Sequence, residues 1–161
     1  MPTCSRHPEQ PARKKWYEIW YKSTDCHENI RECIMRNDLP ALAEYVDFLC
    51  ANPKAAVRIN EPNFFGRTIV SYCAQDGCAD MLRLLLTVPG VDVTLVDNNY
   101  RHNALMWAAK CGYDECVDIL MPYTDLKYKD VLGRDAAKLA KHRKMNIKIN
   151  NHNFISKTFI Q

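Results

Sequence analysis

The sequence predicts an all-α fold, a solenoid of about four helix-turn-helix repeats, and two observations carry that prediction. Displaced by 35 positions, "NFFGRTIVSYCAQDGCADMLRLLL" (63–86) falls on "NNYRHNALMWAAKCGYDECVDILM" (98–121), which brings Asn63 onto Asn98, Ala74 onto Ala109, Gly77 onto Gly112, Asp80 onto Glu115 and Leu85 onto Leu120. Self-similarity at such a period marks stacked supersecondary units. Each unit also reads as a turn, a short helix, a Gly-centred turn and a second amphipathic helix with a leucine-rich face. Neither helix can bury its apolar stripe alone, so neighbouring units must cover it.

The elements follow in order along the chain. In "RKKWYEIWYK" (13–22), Trp16 pairs with Trp20 and Tyr17 with Tyr21 at i,i+4 spacing, which predicts an N-terminal capping helix within an extension spanning 1–26. The repeat domain is expected over 27–145. Its first unit is "HENIRECIMRNDLPALAEYVDFLC" (27–50), where Asn37-Asp38 replaces the inter-helix Gly. Residues 46–62 exceed an ordinary connection, so the second helix should be extended or followed by a loop. A partial last unit, "DVLGRDAAKLAKHRK" (130–144), precedes a basic tail over 146–161.

With 47% apolar and 25% charged residues in 161, the composition is that of a soluble globular domain. The net charge of +3 is too small to indicate a nucleic-acid binder, and its excess is a property of the C-terminal end: Lys138, Lys141, Arg143, Lys144, Lys148 and Lys157 occur there without an Asp or Glu. The end "KHRKMNIKINNHNFISKTFIQ" reads first as solvated chain. A docked strand is the second reading, because Ile147 and Ile149 alternate with polar residues, and a nucleic-acid contact is the least favoured. No run is long and apolar enough for a membrane span, and the N-terminus lacks a signal-peptide apolar core. A cytoplasmic protein, present also in the nucleus, is the expectation.

The turn and helix residues resemble the ankyrin repeat, whose pattern D-x-x-G-x-T-P-L-H-x-A-A-x-x-G is approached by "NFFGRTIVSYCAQDG" (63–77), "NNYRHNALMWAAKCG" (98–112) and "DVLGRDAAKLAK" (130–141). Ser71 and Met106 stand in place of the family's turn His, and Arg101 in place of its first Gly. Weaker turn hydrogen bonds and a reshaped second tip are expected from these departures.

Eight cysteines lack the secretory context of a disulfide framework, so reduced thiols are expected. Cys73-x4-Cys78 and Cys111-x4-Cys116 look like paired zinc half-sites, but they are offset by 38 residues against a period of 35. Cys73 and Cys116 therefore fall on core positions. Cys33 aligns with Cys73, which makes a site with Cys26 and His27 a weak prospect. No metal or other cofactor is expected. The sequence contains no G-x-S-x-G, P-loop or H-E-x-x-H pattern, so an enzyme is not expected either.

What the resemblance implies is a binding surface on the hairpin tips and the ends of the first helices. Carried across, its positions are Phe64, Phe65, Arg67, Gln75 and Asp76, then Asn99, Tyr100, His102, Lys110 and Cys111, then Val131, Leu132 and Arg134. Phe64, Phe65, Tyr100, Val131 and Leu132 put apolar groups where solvent favours polar ones, which points to a partner or to lateral packing between hairpins. Tyr72 and Trp107 are expected in the core. Free-standing ankyrin proteins of this size include inhibitors of cyclin-dependent kinases and a small kinase-regulatory subunit of early embryonic cell cycles. The implied partner is thus a serine/threonine protein kinase; a transcription factor or ubiquitin ligase is the alternative. So few regular repeats imply that stability draws on the complex.

Overall fold

Helices alternate with tight turns throughout the computed structural model, which describes residues 26–141 and 143–158. The predicted capping helix at 13–22 lies outside the described residues. Four helix pairs make up the stack: α1 (Cys26–Met35) with α2 (Leu39–Ala51), α4 (Ile69–Asp76) with α5 (Ala79–Leu85), α6 (Ala104–Cys111) with α7 (Asp114–Leu120), and α8 (Ala136–Leu139) with α9 (Arg143–Thr158). Helix α3 (Pro53–Ala56) and a 3-10 turn (Val57–Asn60) follow α2, and a second 3-10 turn (Met121–Tyr123) follows α7. No strand occurs among the described residues.

The first helices form an inner row, α1 on α4 on α6 on α8, and the second helices an outer row in which α2 packs on α5 and α5 on α7. Between the rows Leu42, Leu49, Leu82, Leu85, Leu105 and Leu120 lose all but 1% of their exposure or less. Each such side chain contributes about 1.5–3 kcal/mol on burial. Leu85 and Leu120 repeat at the period, and Val70 and Val117 stand one period from Leu105 and Leu82, so the core is continuous along the stack.

Capping sets where the last three inner helices start. The side chains of Thr68, Asn103 and Asp135 accept the N–H groups of Ser71, Met106 and Lys138, and Asp38 does the same for Ala41 at the start of α2. Each cap is worth about 1 kcal/mol. Although Ser71 and Met106 replace the turn His, these bonds are in place, and Ser71 Oγ lies 3.2 Å from Thr68 Oγ1. The inner helices of the first three pairs end on left-handed residues, Asn37 (φ 54), Gly77 (φ 74) and Gly112 (φ 90). Asn37 thus stands in for the missing Gly. At Gly77 a Cβ would also come within 2.5 Å of the Tyr113 ring, so close packing demands the glycine as well.

The long connection after the first unit is an extended α2 followed by short helical turns. Asn60 pins it: its Nδ2 donates to Gly90 O (2.7 Å) and its Oδ1 accepts from Asp92 N (2.7 Å).

The C-terminal end departs from the sequence reading. Helix α9 runs through the boundary expected at 145/146, so neither a solvated chain nor a strand describes it. Met145 and Ile149 are fully buried while Ile147 is 48% exposed. The spacing that matters is four residues, Met145 to Ile149, and the Ile147/Ile149 alternation is incidental to it. Asn146 Nδ2 donates to Ala137 O (2.6 Å), and Lys148 pairs with Asp118 of α7, which seats α9 as the outer helix of the last pair.

Candidate functional site

Three hairpin tips project from the inner row, and one Asx residue organises each. Asn63, Asp97 and Asp130 accept backbone N–H groups from within their own tips: Phe65 and Arg67 for Asn63, Asn99, Tyr100 and His102 for Asp97, Leu132 and Arg134 for Asp130. The structural match of Asn63 is therefore Asp97, not Asn98 as the sequence alignment has it. The middle tip carries one more residue before its helix cap than the others do. Left-handed residues complete the turns at Gly66 (φ 75), Arg101 (φ 58) and Gly133 (φ 69), so Arg101 does hold the glycine position of a reshaped tip. Adjacent tips are stitched by Asn98 N to Phe65 O (3.0 Å) and Val131 N to Tyr100 O (3.1 Å).

The apolar residues expected on these tips are exposed: Phe64 by 92%, Leu132 by 65%, with Phe65, Val131 and Tyr100 between 43% and 54%. Lateral packing does not hide them; Phe64 meets Phe65 edge-on (5.5 Å), yet remains almost fully in solvent. Asp76, Asn99 and Lys110 are exposed as well, and Arg67, Gln75, Cys111 and Arg134 are half-buried.

His102 departs from the expectation, because it has no exposure at all. Its Nε2 lies 3.1 Å from Asp130 Oδ2, and its ring packs between Tyr100 (stacked, 5.3 Å) and Trp107 (edge-on, 5.2 Å). Asp130, itself sealed, also holds the Arg134 guanidinium (Nη2 at 2.8 Å). Burial opposes ionisation of Asp130, but hydrogen bonds from Arg134, His102 and Leu132 outweigh it and keep the carboxyl well below the usual range. Burial lowers the His102 pKa from its ordinary 6.5, against the raising effect of Asp130 and Asp97. Nδ1 has no partner among the described residues, so the neutral ring with its proton on Nε2 fits the site. His102 is a structural residue of the tips.

Tyr72 and Trp107 are half-buried rather than sealed in the core, though Tyr72 packs against it. Both line a groove of about 400 Å³ on the inner row, together with Arg31, Arg67, Phe65 and Tyr100. Their positions were open to reading, since each fills the variable slot after the turn-His position, and aromatics there in two successive units are a signal of a built surface. Cations and rings alternate along it: Arg31 lies 5.1 Å from the Tyr72 centroid, Arg67 5.5 Å from Tyr72 and 3.8 Å from Trp107, Lys110 4.8 Å from Trp107 and 5.1 Å from Tyr100. Contacts of this kind contribute about 0.5–2 kcal/mol each and fix ring orientation. Asp97 Oδ2 accepts Trp107 Nε1 (2.9 Å), and Asn63 Nδ2 donates to Tyr72 Oη (2.6 Å), so the Asx residues that fold the tips also orient the rings.

Cys73 and Cys116 are fully buried, as their register requires. Burial, then Cys78 and Glu115, pushes the Cys116 thiol up to about 11, and burial drives Cys73 well above the ordinary value. Protonated thiols are poor nucleophiles and poor ligands. Cys33 is only half-buried, which corrects its placement in the core. Among the described residues no cluster of His, Cys, Asp and Glu is arranged for a metal, and no helix is long and apolar enough to cross a membrane.

The repeating caps, Asx tips and left-handed glycines define a repeat solenoid that presents a surface. The family model for ankyrin repeats, in three copies, matches residues 33–130, and the chain belongs to the ankyrin-repeat family. No curated protein matches it significantly.

Proposed function

We propose that this chain is a non-catalytic regulatory subunit that binds a protein partner across its hairpin tips and inner groove, and acts by occupancy. The observation that carries the reading is the row of solvent-exposed apolar side chains on rigid, mutually hydrogen-bonded tips, with Phe64 exposed by 92%. Apolar groups held out in this way are favourable only when covered, and aromatic and Arg side chains supply most hot spots. The partner we propose is a serine/threonine protein kinase of cell-cycle control, in the cytoplasm or nucleus. This rests on the likeness of these ankyrin repeats to those of kinase-regulatory ankyrin proteins.

The test is affinity capture from native extract, with mass spectrometry and a kinase assay on the eluate, comparing the wild type with a Phe64→Ala, Phe65→Ala, Tyr100→Ala variant of unchanged circular dichroism. A kinase that is recovered by the wild type and lost from the variant supports the reading. Unchanged partners on the folded variant remove the tips from the interface, and a transcription factor or ubiquitin ligase in the kinase's place removes the kinase.

A further inference from the structure

Resting on that protein-binding reading, we infer that the inner groove recognises an acidic, extended segment of the partner, engaging an Asp or Glu carboxylate with Arg67 and Lys110 while an adjacent apolar residue lies on Phe65 and Tyr100. The argument begins with charge. Arg36, Arg58, Arg83 and Arg134 each pair with a carboxylate of this chain. Arg67 and Lys110 pair with none among the described residues: Arg67 bonds the neutral oxygen of Gln75 and covers Tyr72 and Trp107, and Lys110 rests on Tyr100 and Trp107. At 3.8 and 4.8 Å from the Trp107 centroid, both charges sit within a Debye length of one another, about 10 Å at 0.1 M salt. Asp76 lines the same groove but makes no ion pair with either cation, so two cations held this close still repel, and an anion placed against both relieves the repulsion.

Pre-organisation adds to the case. The rings hold the cations in place, so a ligand does not bear the entropy of fixing two long side chains. The cations still have N–H donors to offer, because ring contacts use none. Asn99, exposed on the groove's tip side, supplies an amide for a peptide backbone. Phe65 and Tyr100 line the same groove, so an acidic residue beside a large apolar one fits it better than an acidic run.

Cations and aromatics together can also bind single-stranded nucleic acid, which requires ring faces open for base stacking. Here the Trp107 ring carries Arg67 and Lys110, Tyr72 carries Arg31 and Arg67, and Tyr100 stacks on His102 and meets Lys110.

The experiment selects peptides from a random library displayed on phage against the full-length chain, then measures the selected peptide by fluorescence anisotropy. Asp or Glu next to Leu, Phe or Trp should be enriched. Affinity should fall about tenfold in Lys110→Gln and again in Arg67→Gln, and should weaken with added salt. Lys110 is exposed and loses ring contacts on the surface alone, so its variant should keep the fold with a small drop in melting temperature, and circular dichroism of both proteins separates binding from folding. Selected peptides without acidic enrichment, unchanged affinity in Lys110→Gln, a strict requirement for phosphorylation, or displacement by poly(uridylic acid) would each overturn the inference. Neutral apolar peptides that fail only on the Phe64, Phe65, Tyr100 variant would overturn it while leaving the protein-binding reading intact.

Discussion

Arg67 and His102 occupy the same place in successive repeats, each immediately before the capping residue of an inner helix, yet one faces the groove and the other is sealed from solvent. The tips that carry them use the same Asx hydrogen bonds. What differs is the next unit along. It offers Arg67 the face of Trp107, and it offers His102 the buried carboxylate of Asp130, already bonded to Arg134. In a solenoid each repeat touches only its neighbours, so the neighbour decides whether a given position is surface or core.

Removing Asp130 breaks the comparison most severely. Asp130→Ala withdraws the acceptor of two tip N–H groups, the Arg134 ion pair and the His102 bond at once, and leaves buried donors unpaired. We expect a loss of about 3 kcal/mol or more in urea unfolding. Arg67→Gln, at the position of the first tip that matches His102 in the second, should cost less, about 1–2 kcal/mol, since its two ring contacts are partly solvated. Equal losses would mean that the two tips are energetically alike despite their geometry.

The next contrast lies at the left-handed residues of the same two tips. Gly66→Ala forces a Cβ into the φ 75 position and to 2.5 Å from Asn98 Oδ1 and 2.7 Å from its backbone nitrogen, which cannot retreat without breaking the stitch to Phe65 O. A loss of about 1–3 kcal/mol is expected. Arg101→Gly runs the other way, because it relieves a non-glycine residue at φ 58, and should stabilise by up to about 1 kcal/mol. Thermal melts of the two variants should move in opposite directions.

The parts of this protein that can be read from sequence are those fixed by local chemistry. The period, Asn37 in place of the inter-helix Gly and the exposed apolar tips all follow from residues close in sequence. The burial of His102 is not legible locally because its cover comes from Asp130, 28 residues further on. Tyr72 and Trp107 were assigned to the core because an aromatic ring suits both a core and a groove, and only the Arg67 contact separates the two. The extra residue of the middle tip was hidden because Asp97 and Asn98 are adjacent Asx residues, either of which aligns with Asn63. The terminal helix was missed because Met145, Ile147 and Ile149 satisfy a strand period and a helix period alike.

The smallest expected effect concerns pH and tests whether His102 is held neutral by its surroundings. Burial puts its folded pKa below the ordinary 6.5, with Lys110 adding to the lowering, while Asp130 and Asp97 act against it. Between the folded and unfolded values the unfolded chain binds more protons, so stability must fall as pH drops from about 6.5 toward the folded pKa. Asp130 does not contribute in that window, since its carboxyl stays ionised well below it, and its own stabilisation is lost only under more acidic conditions. Urea unfolding measured from pH 7.5 to 5 should therefore show a decline in the wild type that is shallower in His102→Asn. Contributions common to both proteins cancel in the difference. If the two profiles run parallel, the imidazole carries its charge inside the fold, and the contrast with Arg67 becomes one of burial alone: two cations at one repeat position, the first shared with a ring and the second neutralised by a carboxylate.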